Sequence, residues 1–126
     1  MKKAILTLVL AAVSGGAWAQ QWVRVSVGES GTVLYVDPST IRKDGNLRRF
    51  WSLYDFLKPD KHGDLSSRGV EEIDCKEERR RDLQEDWFRG PMGSGERSGG
   101  SNRPTEWRYV APGSTGAAIM KFVCSP

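Results

Sequence analysis

The chain has a single histidine, His62, and few of the chemistries that rely on an imidazole near neutral pH can be built around it. No serine or cysteine is paired with His62 by spacing, so nucleophilic hydrolysis has no visible base and nucleophile couple. Asp60 and Asp64 flank it, which suggests a three-ligand metal set. That set would lie in a polar turn over residues 59–64, with nothing to fix its geometry, and it reads as a solvated turn. The glycine-rich stretch 90–98 superficially resembles a phosphate-binding loop, but Glu96 stands where a lysine would have to be and would repel a phosphate. The expectation is a protein that is not an enzyme, with no catalytic residues, no metal and no cofactor.

Long apolar runs are also missing. Residues 4–13 are apolar except for Thr7, too short for the ~20 residues that cross a bilayer. Lys2 and Lys3 precede this run, and Ala17-Trp18-Ala19 follows it as a small-x-small cleavage signature. Residues 1–19 therefore read as a secretory signal peptide cleaved after Ala19. No cysteine lies near that site to accept a lipid. The expected product is one domain, residues 20–126, in the periplasm or secreted, with no transmembrane anchor.

Net charge is the third thing lacking. The chain carries 19 basic and 16 acidic residues, but Lys2 and Lys3 leave with the signal, so 17 face 16 and the balance is +1. A nucleic-acid partner has no electrostatic support at that balance.

Only two cysteines are present, Cys75 and Cys124. In an exported chain the simplest reading is a disulfide. It would close a long loop, worth ~4 kcal/mol in the chain-entropy model. Stability is then expected to follow redox conditions and not pH.

The rest of the sequence is punctuated β-structure. Residues 21–27 alternate, with Val23, Val25 and Val27 on one side, and residues 32–36 return as a second strand after a glycine-containing turn. Asp37 and Pro38 have the residue types of a cap and a first helical position, predicting one helical turn over 39–42, stopped by residues 43–46. Residues 47–57 carry large apolar groups on both parities, as a central strand covered on each side would. Residues 66–76 predict another strand, in which Ile73 and Cys75 share a face. Residues 77–89 are open between a helix, by propensity, and a long strand paired with the preceding one. Residues 90–104 read as a flexible loop, and 105–110 as a strand with Trp107 and Tyr109 on one side. Ser114 is a good N-cap for a helix over 117–123, with Ala117, Met120 and Cys124 on one stripe. Five or six strands and a C-terminal helix make an α+β domain with the helix docked on an antiparallel sheet.

Arg79, Arg80 and Arg81 form the densest basic cluster, with Glu77, Glu78 and Asp82 close enough in sequence to neutralise it. On a strand, Arg79 and Arg81 would share one face and Arg80 would take the other. These three are the candidate partner-binding residues, suited to an anionic surface.

The chain resembles the surface-adhesin protein E family. The resemblance lies in Val33-Leu34-Tyr35-Val36-Asp37, Trp51-Ser52-Leu53-Tyr54-Asp55, and Ser67-Arg68 through Ile73-Asp74-Cys75. It continues in Asp86-Trp87-Phe88 and in Val110-Ala111-Pro112-Gly113-Ser114-Thr115 running to Val123-Cys124. It implies a curved antiparallel sheet around a C-terminal helix held by a disulfide, with Cys75 and Cys124 matching that bond. It also implies that residues 79–88 form a strand. In function it implies an exported bacterial binding protein for host matrix or serum proteins, able to form a homodimer. The alternative is a periplasmic accessory protein that binds a small ligand or an envelope partner in the groove between sheet and helix.

Overall fold

The computed structural model describes residues 20–126; the expected signal peptide, residues 1–19, lies outside them. Eight strands and one helix follow in order: β1 (Val23–Val27), β2 (Val33–Val36), β3 (Arg42–Asp44), β4 (Leu47–Asp55), β5 (Ser66–Asp74), β6 (Arg79–Phe88), β7 (Arg97–Ser101), β8 (Arg108–Tyr109) and α1 (Thr115–Cys124). All pairings are antiparallel, in the order β1-β2-β4-β5-β6-β7, with β3 added beside β4 and β8 beside β6. This is the expected antiparallel sheet with a C-terminal helix, and it has more strands than the five or six anticipated.

The extra strands come from two segments whose composition hides them. The helical turn after Asp37 is shorter than expected, a 3-10 turn over Pro38–Thr40. The Asp37 carboxylate accepts from the Ser39 amide at 3.0 Å, as its capping position requires. The chain then makes a tight hairpin through Gly45, whose φ of 56° favours glycine, and β3 pairs with the start of β4. The supposed flexible loop at 90–104 contains β7. Its small residues gain order from β6, where it pairs with Glu85–Phe88, and from Arg97 donating to Asp86 at 2.8 Å. Residues 105–110, by contrast, hold only the two-residue β8.

Between β4, β5 and β6 the register runs from Leu47 opposite Asp74 to Asp55 opposite Ser66, and from Asp74 opposite Arg79 to Ser66 opposite Phe88. The acidic run of β5 meets the arginines of β6 across this ladder, and opposite charges placed side by side help fix the register. One bulge interrupts β5–β6 beside Val70 and Glu71, giving β6 an extra residue.

Helix α1 starts where Ser114 accepts from the Ala117 amide at 3.1 Å. It buries Gly116, Ile119 and Val123, with Met120 and Cys124 alongside, so the packed stripe is displaced by about one residue from the expected one. Ile119 and Val123 close a core with Leu34, Val36, Phe50 and Ile73. The Cys75–Cys124 disulfide ties the end of α1 to the turn after β5, across 49 residues of sequence.

Position 69 has to be glycine. A Cβ there would run into the carbonyl oxygen of Gln84, which the bulge brings over β5. Gly69→Ala must therefore displace the β6 backbone, a cost of about 1–3 kcal/mol by analogy with overpacked cores. A denaturant midpoint unchanged in that variant would show that the bulge yields freely.

Candidate functional site

Helix α1 covers only part of its face of the sheet. Ten helical residues extend about 15 Å, whereas the nine-residue strands beneath run about 30 Å. Core residues lie under the helix. Beyond them, on the same parity, the sheet carries Ser52 and Tyr54 on β4, Ser67 and Glu71 on β5, and Asp82 and Glu85 on β6. These surround a cavity of about 230 Å³. Its middle row is Ser52, Gly69 and Glu85, side by side across three strands, so the central position offers no side chain.

A buried polar triad bounds the cavity. Arg80 donates to Glu71 at 2.5 Å and to the Tyr54 hydroxyl at 2.8 Å, and that hydroxyl donates to Glu71 at 3.0 Å. The helix start lies against Arg80: a Cβ added at Gly116 would come within 2.6 Å of its guanidinium. Burial, followed by the Glu71 charge, pushes the Tyr54 hydroxyl well above its ordinary pKa. For Arg80, burial works against its charge, but Glu71, Tyr54 and Asp82 together outweigh it and its pKa is raised. Arg80 thus keeps its charge and Tyr54 its proton across the neutral range.

Glu85 differs from Glu71. Among the described residues no cation forms an ion pair with it, and burial, followed by the nearby charge of Asp82, raises its pKa. A raised folded-state pKa means the native protein binds the proton more tightly than the unfolded chain does. Ionised Glu85 therefore lowers stability at high pH, and the loss disappears as pH falls towards the unfolded value. Glu85→Gln should raise the melting temperature at pH 7, with little gain once Glu85 itself is protonated. A gain that persisted undiminished into acid would contradict this reading.

Strand alternation separates the three arginines. Arg80 turns under the helix with 16% of its side chain exposed. Arg79 and Arg81 lie on the opposite face, each stacked on the ring of Trp107 at 4.6 and 4.5 Å. Glu72 is buried there between Arg49 at 3.0 Å and Arg81 at 2.8 Å, while Arg79 pairs with Asp74 at 3.5 Å. Burial works to raise the Glu72 pKa, but the bonds from Arg49 and Arg81 outweigh it and hold the carboxyl below its usual range. The charges answering the arginine cluster are thus mostly those of the preceding strand, not the sequence neighbours Glu77 and Glu78. Tyr109, next to this face, is 81% exposed.

His62 sits in the turn after β4, where the Asp60 carboxylate accepts from the His62 and Asp64 amides at 2.9 Å each. Asp64 is drawn away to the Ser98 hydroxyl at 2.6 Å and to Arg89 at 3.5 Å. Among the described residues no group of three histidine, cysteine or acidic side chains is placed to hold a metal ion, and no helix is long and apolar enough to cross a membrane.

Sequence reasoning singled out the arginines but passed over Tyr54, Glu71 and Glu85. A signal for Glu71 was present: it shares the parity of Ile73 and Cys75, so a carboxylate had to stand on the core face. The roles of Glu85 and Asp82 depend on the bulge, which shifts the parity of β6 and leaves no sequence mark as plain.

The class defined by this architecture is a small α+β domain: an open antiparallel sheet with one C-terminal helix fastened to it by a disulfide. Solved structures share it. Haemophilus influenzae protein E in its crystal form II matches with a TM-score of 0.62 at 15% identity, covering 82% of this chain and 86% of that one. Protein E from non-typeable Haemophilus influenzae matches at 0.57 and 15% identity, over 87% and 78%. At that identity the likeness establishes the fold alone. The sequence profile of surface-adhesin protein E matches residues 22–125, and the chain belongs to that family. No curated protein matches it.

Proposed function

We propose that the protein is an exported bacterial binding protein with no catalytic chemistry of its own, acting as a surface adhesin towards host matrix or serum proteins. The observation that carries this reading is the family match over residues 22–125, almost the whole chain beyond the expected leader. The proposed route is export through residues 1–19, cleavage after Ala19 and release into the periplasm or medium. The proposed contacts for an anionic partner are Arg79 and Arg81, which flank the Trp107 ring beside the exposed Tyr109. Arginine and aromatic side chains are the usual anchors of such interfaces. Arg80 supports them from behind through its bonds to Glu71 and Tyr54. A homodimer is part of the same proposal.

Binding of the purified, oxidised domain to immobilised vitronectin, laminin and heparin tests this. Saturable binding that drops when Arg79 and Arg81 are both replaced by Gln is the expected result. Absence of saturable binding to all three would remove the host-matrix reading.

A further inference from the structure

We propose that the cleft between the 59–64 turn and β7 is a binding site for a neutral sugar, with one pyranose ring stacked on Trp87 and hydrogen-bonded by Asp64 and Arg89. Trp87 stands on the face of the sheet opposite Arg79 and Arg81, and the site does not depend on the adhesin reading.

The register of β6 supplies an aromatic shelf. Trp87 projects from the same face as Glu85, and its cross-strand neighbours are Ser67 on β5 and Gly99 on β7. One of these has a short side chain and the other has none. Apart from the chain neighbours, no atom comes within 4 Å of where a Gly99 Cβ would stand, so the space beside the indole is open. The ring itself is partly exposed. A flat apolar surface of this kind takes the C–H face of a sugar ring.

Beside the shelf is a rigid polar pair. Asp64 Oδ1 accepts from the Ser98 hydroxyl at 2.6 Å and lies 3.5 Å from Arg89 Nη1, which also donates to the His62 carbonyl oxygen. Both side chains are thereby held in one place, as recognition requires. Each keeps unused atoms. Asp64 Oδ2 accepts no bond from the described residues and is not sealed from solvent, and Arg89 Nε and Nη2 donate to none of them. Because Oδ1 and Nη1 are already neighbours, the free acceptor and the free donors belong to one small patch.

That patch selects the class of ligand. An anion is repelled by the Asp64 carboxylate, and a cation by the Arg89 guanidinium. A hydroxyl satisfies both, donating to Oδ2 and accepting from the guanidinium. A peptide amide also donates and accepts, but its N–H and C=O point away from each other across a trans bond. Neighbouring hydroxyls project from one edge of a ring and reach both groups at once. The cleft, about 390 Å³, falls within the ~300–1,000 Å³ of small-molecule sites and holds a single sugar ring with room for the start of the next. A free sugar and a glycan carried on a protein share this chemistry.

The test is an NMR titration of the oxidised protein, following backbone amides and indole N–H groups. The probes are the methyl glycosides of glucose, galactose and mannose, and a neutral N-glycan oligosaccharide. Saturable shifts centred on the Trp87 indole, Arg89 and Gly99 are expected. Gly99→Val fills the open space beside the indole, and the backbone there is not in the glycine-only region. Its melting temperature should match the parent while binding falls by roughly tenfold or more. Arg89→Gln, which leaves the shelf intact, should weaken binding by a similar factor through loss of a charge-assisted bond. Tighter binding of the oligosaccharide assigns a protein-borne glycan, and tighter binding of a methyl glycoside a free sugar. No saturable shifts with any of these sugars, affinity unchanged in Gly99→Val or in Arg89→Gln, or equal binding of Nα-acetyl-glycine methylamide would overturn the proposal.

Discussion

Reduction of the Cys75–Cys124 bond should lower the melting temperature by about 15 °C or more. The bond closes a loop of 49 residues, and in the chain-entropy model removing it returns about 4 kcal/mol of freedom to the unfolded chain. For a domain of this size each kcal/mol moves the midpoint by about 4–8 °C. The loss is concentrated in one place. Helix α1 has ten residues, too few to be stable alone, and stays helical only while Ile119 and Val123 are docked. Without the tether it can lift away and expose Leu34, Val36, Phe50 and Ile73 to water. Thermal melts in the presence and absence of reductant check this, with the Cys75→Ser, Cys124→Ser double variant as the permanent reduced form. Superimposable curves would mean that the bond contributes nothing.

Arg80→Ala should cost about 3–5 kcal/mol, because it leaves the buried Glu71 carboxylate with the Tyr54 hydroxyl alone. The cost belongs to the stranded charge more than to the pair. Replacing both ends together, as Arg80→Met with Glu71→Leu, should therefore lose much less than the sum of the single changes. Arg79→Ala is the contrasting case. Its partner Asp74 lies 3.5 Å away and its own side chain is 38% exposed, so a loss below about 1 kcal/mol is expected. Chemical denaturation of these variants measures the ranking. Equal effects of Arg79→Ala and Arg80→Ala would show that the triad has no special standing.

Much of the fold was legible because alternation and punctuation survive in the sequence. Cys75 and Cys124 gave the tether, Ser114 the helix start, and the two-sided apolar pattern of β4 its central place. The helix or strand ambiguity of β6 could not be settled by propensity, since its Glu, Arg and Leu favour helix. Pairing of its arginines with Glu71, Glu72 and Asp74 decides it, and that is a tertiary effect. Strand β7 was illegible for a related reason: Ser98, Gly99 and Gly100 have no β preference, and an available edge recruits them. The arginine cluster was seen as a unit in sequence, but the pleat divides it between two faces with different tasks. The expectation that stability would ignore pH fails on the same residues. Glu72, held below the ordinary carboxylate range, gives stability that is lost as pH falls through its folded value, and Glu85 works in the opposite sense.

Export and disulfide formation underlie both the adhesin reading and the stability of the fold. The intact mass of the protein, produced with its own leader and recovered from the periplasm and medium, tests them together. The account predicts a chain beginning at Gln20 and two hydrogens lighter than its reduced form. A full-length chain retained in the cytoplasm with both thiols free would contradict it.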